Sequence, residues 1–138
     1  MIVVDANVAL AWVLDAPDEH HRFSASVAQQ ALSGADTLVA PRIFTTECAH
    51  VLLKRGRAGK WGAVLTAEYA EVIQSIPMRL YRTTTSIATQ VRFATQHNVQ
   101  GFDAVYLALA LALDAEIATL DGGLRTAAIA AGVLLFSG

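Results

Sequence analysis

Cysteine is nearly missing from this chain. Cys48 is the only one among 138 residues, so no internal disulfide can form. That usage fits a reducing cytosol. Charge is scarce as well: Asp, Glu, Lys and Arg make up 16% of the residues, against 54% hydrophobic. A disordered chain is excluded, because such chains are polar and highly charged. So little charge also implies that some apolar surface meets a partner. Positive charge is not in surplus, since ten basic and twelve acidic side chains give a formal net charge of −2. No bulk field for polyanions exists, and any nucleic-acid contact must use a local patch. Long apolar runs are absent too. The longest, Ala104 to Leu113, is too short to cross a bilayer and reads as a buried helix. "MIVVDANVALAWVLDA" has no Lys or Arg before its apolar part, so it lacks the basic start of a signal peptide. The expectation is a soluble, cytoplasmic protein with no membrane contact.

What is present alternates between two periodicities. Ile2 to Val4 is a short β-branched run, the signal of a buried strand. "NVALAWVL" reads as helix, and Asp15-Ala16-Pro17 breaks it. "DEHHRFSASVAQQAL" is a second helix stopping near Gly34, and "TLVA" a second strand. Pro41 is expected to open the helix "PRIFTTECAHVLLKRG", with Gly56 and Gly59 ending it. A helix from Ala63 to Gln74, the strand "MRLYR" and the helix "SIATQVRFATQHN", capped by Asn98, come next. Asp103 opens the greasy helix, "EIATL" is a strand, and Asp121-Gly122-Gly123 turns into "LRTAAIAAG" before a last strand, "VLLF". Strands alternating with helices predict an α/β fold, a central and mainly parallel sheet of four to five strands flanked by helices. No linker or repeat divides the chain, so residues 1–138 are expected to form one domain.

Four acids stand at telling places in that pattern. Asp5 ends the first strand and Asp121 ends "EIATL", where open α/β sheets hold their ligands. Asp103 starts a helix at the same rim. Glu47 lies among the apolar Ile43, Phe44 and Val51 on one helical face, so it needs a partner. Two unit charges about 5 Å apart cost roughly 3 kcal/mol at an effective dielectric near 20. Four converging carboxylates would therefore be partly protonated or hold a cation. Oxygen-only donors suit Mg²⁺ or Mn²⁺, and the chemistry that follows is phosphodiester hydrolysis. The plainer alternative is that Asp5, Asp103 and Asp121 are helix caps.

These segments carry a resemblance. "IVVDANVALAWVL", "APRIFTTECAHVLLK", "GFDAVYLALALAL" and "EIATLDGGL" are similar, in order, to the four motifs of PIN-domain ribonucleases, and most resemble VapC-type toxins of bacterial toxin–antitoxin pairs. The resemblance spans nearly the whole chain. It implies a PIN-like α/β/α fold. It also implies Mg²⁺- or Mn²⁺-dependent endoribonuclease activity leaving 5′-phosphate and 3′-hydroxyl ends. Asp5, Glu47, Asp103 and Asp121 match the acidic catalytic positions; Asp5, Asp103 and Asp121 would help hold the metal. Thr119 matches a hydroxyl position beside the last acid, and Asn7 a polar position near the first. The implied partners are RNA, an antitoxin and a second copy of the chain. The net charge of −2 departs from the basic bias of an RNase.

Beyond the four acids, "KRGRAGK" holds Lys54, Arg55, Arg57 and Lys60, candidates for gripping phosphates or a solvated helix end. Trp61 beside them is expected in the core or an interface. His20 and His21 point about 100° apart on a helix and read as surface residues. Three rival readings remain. A haloacid-dehalogenase-type phosphatase wants a second Asp where Asn7 stands. A receiver domain wants an acid beside Asp5. An interaction domain would use the acids only as caps.

Overall fold

The computed structural model describes residues 1–138. Four short strands carry it: β1 (Ile2–Val4), β2 (Leu38–Pro41), β3 (Arg79–Tyr81) and β4 (Glu116–Ala118). Seven helices connect and follow them: α1 (Ala6–Leu10), α2 (Asp18–Leu32), α3 (Ile43–Gly59), α4 (Gly62–Ser75), α5 (Ile87–His97), α6 (Asp103–Leu113) and α7 (Gly122–Ala130). The strands form one sheet in the order β3-β2-β1-β4, parallel throughout. Ile2 pairs with Leu38 on one side and Glu116 on the other. All three residues of β1 are buried, as an unalternating β-branched run requires when both faces are covered.

The pleat divides the core in two. Val3, Val39 and Ile117 pack with Phe44, Leu107 and Leu124 from α3, α6 and α7. Ile2, Val4, Leu38 and Ala118 pack with Val8 and Val27 from α1 and α2. Helices thus cover the sheet in a PIN-like three-layer α/β/α arrangement. From β1 the chain moves outward through β2 to β3, then returns to place β4 on the other side of β1. The strand order therefore reverses between β1 and β4, and the crevice beyond their carboxyl ends is the natural ligand position of such a sheet. No helix is long and apolar enough to cross a membrane.

Four sequence expectations need correction. "VLLF" forms no strand, only an isolated parallel bridge between Leu135 and Ile117. Val133 is occupied instead in closing α7, its N–H donating to Ala128 O at 2.9 Å. Pro41 does not open α3. It ends β2 opposite Tyr81, and Arg42, which has the N–H that proline lacks, donates to Tyr81 O at 2.8 Å. The greasy helix α6 is covered on one stripe only: Ala104, Tyr106, Leu107 and Ala110 are buried, whereas Leu111 and Ala112 are exposed. Finally, Gly56 does not break α3, which runs on to Gly59, the end the sequence suggested, with Lys60 as its C-cap in the left-handed region (φ 54°).

Those two glycines serve packing. A Cβ on Gly59 would lie 2.5 Å from Trp61 Nε1, and one on Gly56 would lie 2.6 Å from Thr66 Oγ1. Their missing side chains let α4 fold back along α3 with Trp61 in the corner, edge-on to Tyr69 at 5.1 Å between ring centroids. Alanine is the better helix former by about 1 kcal/mol, yet here the clash outweighs it. Gly56→Ala is expected to lower stability by about 1–3 kcal/mol, read as a drop in Tm. Combining it with Thr66→Ala should recover most of the loss; equal Tm values for Gly56→Ala and wild type would refute the packing role.

Candidate active site

The strand ends bring the acids to one place. Asp5 follows β1 and is 5% exposed. It occupies the N-cap position of α1 but makes no capping hydrogen bond. Its Oδ2 instead accepts from Thr119 Oγ1 at 2.6 Å and from Asn7 Nδ2 at 2.8 Å. Thr119, buried just past β4, also accepts from Asp121 N at 3.0 Å. Asn7 Oδ1 accepts from Leu120 N at 3.1 Å. The ends of β1 and β4 are therefore stitched together by one carboxylate, one hydroxyl and one amide.

Glu47 reaches the same region from α3 and Asp103 from the first turn of α6. Burial pushes the Asp5 carboxyl up to about 6, with repulsion from Glu47 and Asp121 adding to it and the Thr119 hydrogen bond opposing it. Burial also pushes Asp103 up to about 6, helped by Asp5 and Asp121. Glu47 is raised by burial and by Asp103, against the lowering effect of its bond to Tyr106. Asp5, Glu47 and Asp103 thus each feel another of the acids, with Asp121 acting on Asp5 and Asp103, and this repulsion places the four around one crevice.

The cap alternative separates cleanly. Asp103 sits inside α6, with Phe102 at the N-cap and no side-chain cap bond. Asp121 is a true cap, its Oδ1 accepting from Leu124 N at 2.7 Å. It is exposed at the rim while Asp5 is buried beneath it. No three acids are drawn into a tight ligand cluster. Asp5, Glu47 and Asp121 are tied to protein donors instead.

Sequence reasoning missed Tyr106. Its hydroxyl donates to Glu47 Oε1 at 2.7 Å, supplying the partner that a half-buried Glu requires. The signal was a lone polar-tipped residue one turn after Asp103 in an otherwise aliphatic helix. Cys48, next to Glu47, is buried, and burial pushes its thiol up to about 12, which makes it unreactive. His21 is not idle on the surface: Nε2 accepts from Ala16 N at 3.2 Å, and Nδ1 donates to Ala11 O at 2.9 Å. It braces the turn before α2, away from the acids in sequence and bonding. Lys54, Arg55, Arg57 and Lys60 are exposed on and just after the last turns of α3, so they extend along the helix away from Glu47. Arg57 and Lys60 line a cavity between α3 and α4 rather than the acidic crevice.

Comparison with known proteins agrees with this architecture. The family model described as PIN domain matches residues 2–130. Among solved structures, the chain is similar to the crystal structure of PAE2754 from Pyrobaculum aerophilum, with a TM-score of 0.68 at 17% identity. The match covers 91% of this chain and 78% of that one. No curated protein matches the sequence significantly.

The electrostatics of Asp5 have a direct consequence for stability. Its folded pKa of about 6 exceeds the ordinary value of 3.8, so the folded state holds the proton more tightly. The associated stability is fully present below about pH 4 and is lost as pH rises through about 6. In Asp5→Asn, the amide oxygen can keep both donors without the charge. In chelator at pH 7 this variant should melt higher than wild type, by up to about 3 kcal/mol of stability. At pH 4 the two should melt together. A lower Tm for the variant at pH 7 would show that the ionised carboxylate is stabilised, not strained.

Proposed function

This chain belongs to the PIN domain family, whose members are generally nucleases, and on that premise we propose that it is a metal-dependent endoribonuclease. One observation carries the reading: Asp5, Glu47, Asp103 and Asp121 converge at the β1/β4 switch point, with two of them held near pKa 6 by burial and mutual repulsion. Such a pocket lowers its own energy by taking up positive charge.

The donor set fits Mg²⁺ or Mn²⁺. It is all oxygen, with the one nearby thiol protonated, which suits hard cations. Asp5, Asp103 and Asp121 would hold the metal, with substrate phosphate and water completing its shell. When bound, the ion supplies Lewis-acid polarisation of the phosphoryl oxygen and a more acidic attacking water. Thr119 and Asn7 fix the Asp5 carboxylate by their bonds to one of its oxygens. Glu47, with Oε1 anchored by Tyr106, orients the attacking water through its second oxygen and takes its proton. Water oxygen bonds to phosphorus, the bond from phosphorus to the 3′ oxygen breaks, and a proton completes the leaving hydroxyl. A 5′-phosphate and a 3′-hydroxyl result.

The toxin reading rests on the likeness of the four motifs to VapC-type toxins. Exposed apolar side chains support a protein cover, either an antitoxin or a second copy. Ile87 and Val91 on α5 are 85% and 59% exposed, and α5 has no fully buried residue. A non-catalytic interaction domain is the second reading, favoured by the absence of a preassembled ligand cluster.

The test is cleavage of structured RNAs by purified protein with Mg²⁺, Mn²⁺ or chelator. Metal-dependent cutting is expected, lost by about 10²-fold or more in Asp5→Asn and Asp103→Asn. Metal affinity should rise with pH through about 6, because Asp5 and Asp103 must shed protons to accept a cation. Cutting that persists in chelator or in both variants would overturn the metal site. Absent metal binding by calorimetry would favour the interaction domain.

A further inference from the structure

The four acids explain cutting but not how a polyanion is held beside them. A cavity of about 400 Å³ opens between the start of α3, the loop after β3, α5 and the turn into α6. Arg42, Thr83, Gln90 and Phe102 line it. Both ends of this wall lead directly to catalytic acids. Phe102 precedes Asp103 in the chain, and Arg42 stands five residues before Glu47, about 7.5 Å along the helix axis. Through Thr83 and Gln90 the cavity continues into a groove of about 210 Å³ between α5 and α6, which adds Arg82 and the hydroxyls of Thr84 and Thr85.

The chemistry of this wall is specific in kind. The Met1 amino group pairs with Asp36, and His20 Nε2 lies 3.9 Å from Glu19. Arg42 and Arg82 pair with no carboxylate. Phe102 is 52% exposed, presented by Gly101 at φ 50°, a conformation that glycine adopts without strain. An open aromatic face beside free guanidinium groups and a row of hydroxyls matches a base and its flanking phosphates.

We propose that this groove seats the single-stranded RNA segment next to the scissile phosphate, with Phe102 stacking on a base and Arg42 on the adjoining phosphate. The assignment rests on the endoribonuclease reading. It places the substrate track on α3's first turn and the β3–α5 loop. The cations from Lys54 to Lys60 lie about 10–20 Å further along α3 from Glu47.

The experiment measures binding of a fluorescent 12-nucleotide single-stranded RNA to the full chain in chelator, and its cleavage with Mn²⁺. Phe102→Ala should weaken binding about tenfold or more, and Phe102→Trp should restore it. Arg42→Ala should weaken binding and lower the slope of log Kd against log salt by about 0.7, the share of one phosphate on a single strand. Arg22→Ala on α2 serves as the surface-charge control and should bind as wild type. Wild-type affinity in both Phe102→Ala and Arg42→Ala would overturn the groove while leaving the nuclease reading intact. An equal loss in Arg22→Ala would reduce the effect to bulk charge and overturn it too. Groove-dependent binding with no cleavage under any metal would support the groove and sink the nuclease reading. No binding by wild type at low salt would overturn the groove outright.

Discussion

A carboxylate buried at the end of the central strand is the constraint around which this molecule is arranged. Asp5 is almost fully removed from water, and an ion in that position costs several kcal/mol unless something compensates. Two donors on one oxygen, Thr119 and Asn7, give part of the compensation. Thr119 is available only because β4 lies directly against β1, and the chain beyond it holds Asn7 through Leu120 N. The parallel pairing, the reversal of strand order and the hydroxyl at 119 are thus one requirement seen at three levels. The partial protonation implied by a carboxyl near 6 supplies the rest in the absence of a cation.

From that centre the other polar groups acquire their roles. Thr119 passes its acceptor lone pair to the Asp121 N–H, so the last acid is positioned by the same hydroxyl that holds the first. Asp121 in turn caps α7. Being a cap and being a ligand are therefore compatible for this exposed residue, since the helix takes only its Oδ1. Tyr106 does for Glu47 what Thr119 does for Asp5. Its hydroxyl is far harder to ionise than usual, chiefly through burial and then through its bond to Glu47, so it stays a donor at any working pH. Asp5, Glu47 and Asp121 each have a protein donor, and no three of the acids form a ready ligand cluster. A cation would be drawn by the summed charge rather than by preformed geometry.

Much of this was legible in the chain itself. The order of strands and helices followed from β-branched runs and breaks, because a strand buried on both faces must be apolar throughout. Convergence of Asp5 and Asp121 followed from their places at strand ends. What escaped had physical reasons. "VLLF" is apolar whether it pairs with a strand or closes a helix, and Val133 does the latter. Gly56 looked like a helix end, yet its role depends on Thr66 in another helix, which no local signal reveals. The Tyr106 to Glu47 bond spans 59 residues, beyond any periodicity. Pro41 misled because a proline lacking an N–H suits the last residue of a strand as well as the first turn of a helix.

The net charge of −2 at first sight opposes a nucleic-acid substrate. It does so only if cations and anions are evenly mixed and paired. Here no Lys or Arg is spent on an ion pair, while four of the twelve acids are gathered in one crevice, where burial favours the neutral forms of Asp5, Glu47 and Asp103. Take up a divalent ion there and two of those negative charges are offset, whereas the arginines nearby are unaltered. Distribution therefore matters more than the total, since fields at a surface are screened within about 8–10 Å at ordinary salt. A phosphate seated on Arg42 meets its guanidinium well inside that distance, and a cation held among the acids further along the wall would offset part of their repulsion. A chain without a basic excess can hold RNA provided that its cations are left unpaired at the right rim, and that condition is met on the wall leading to Asp103.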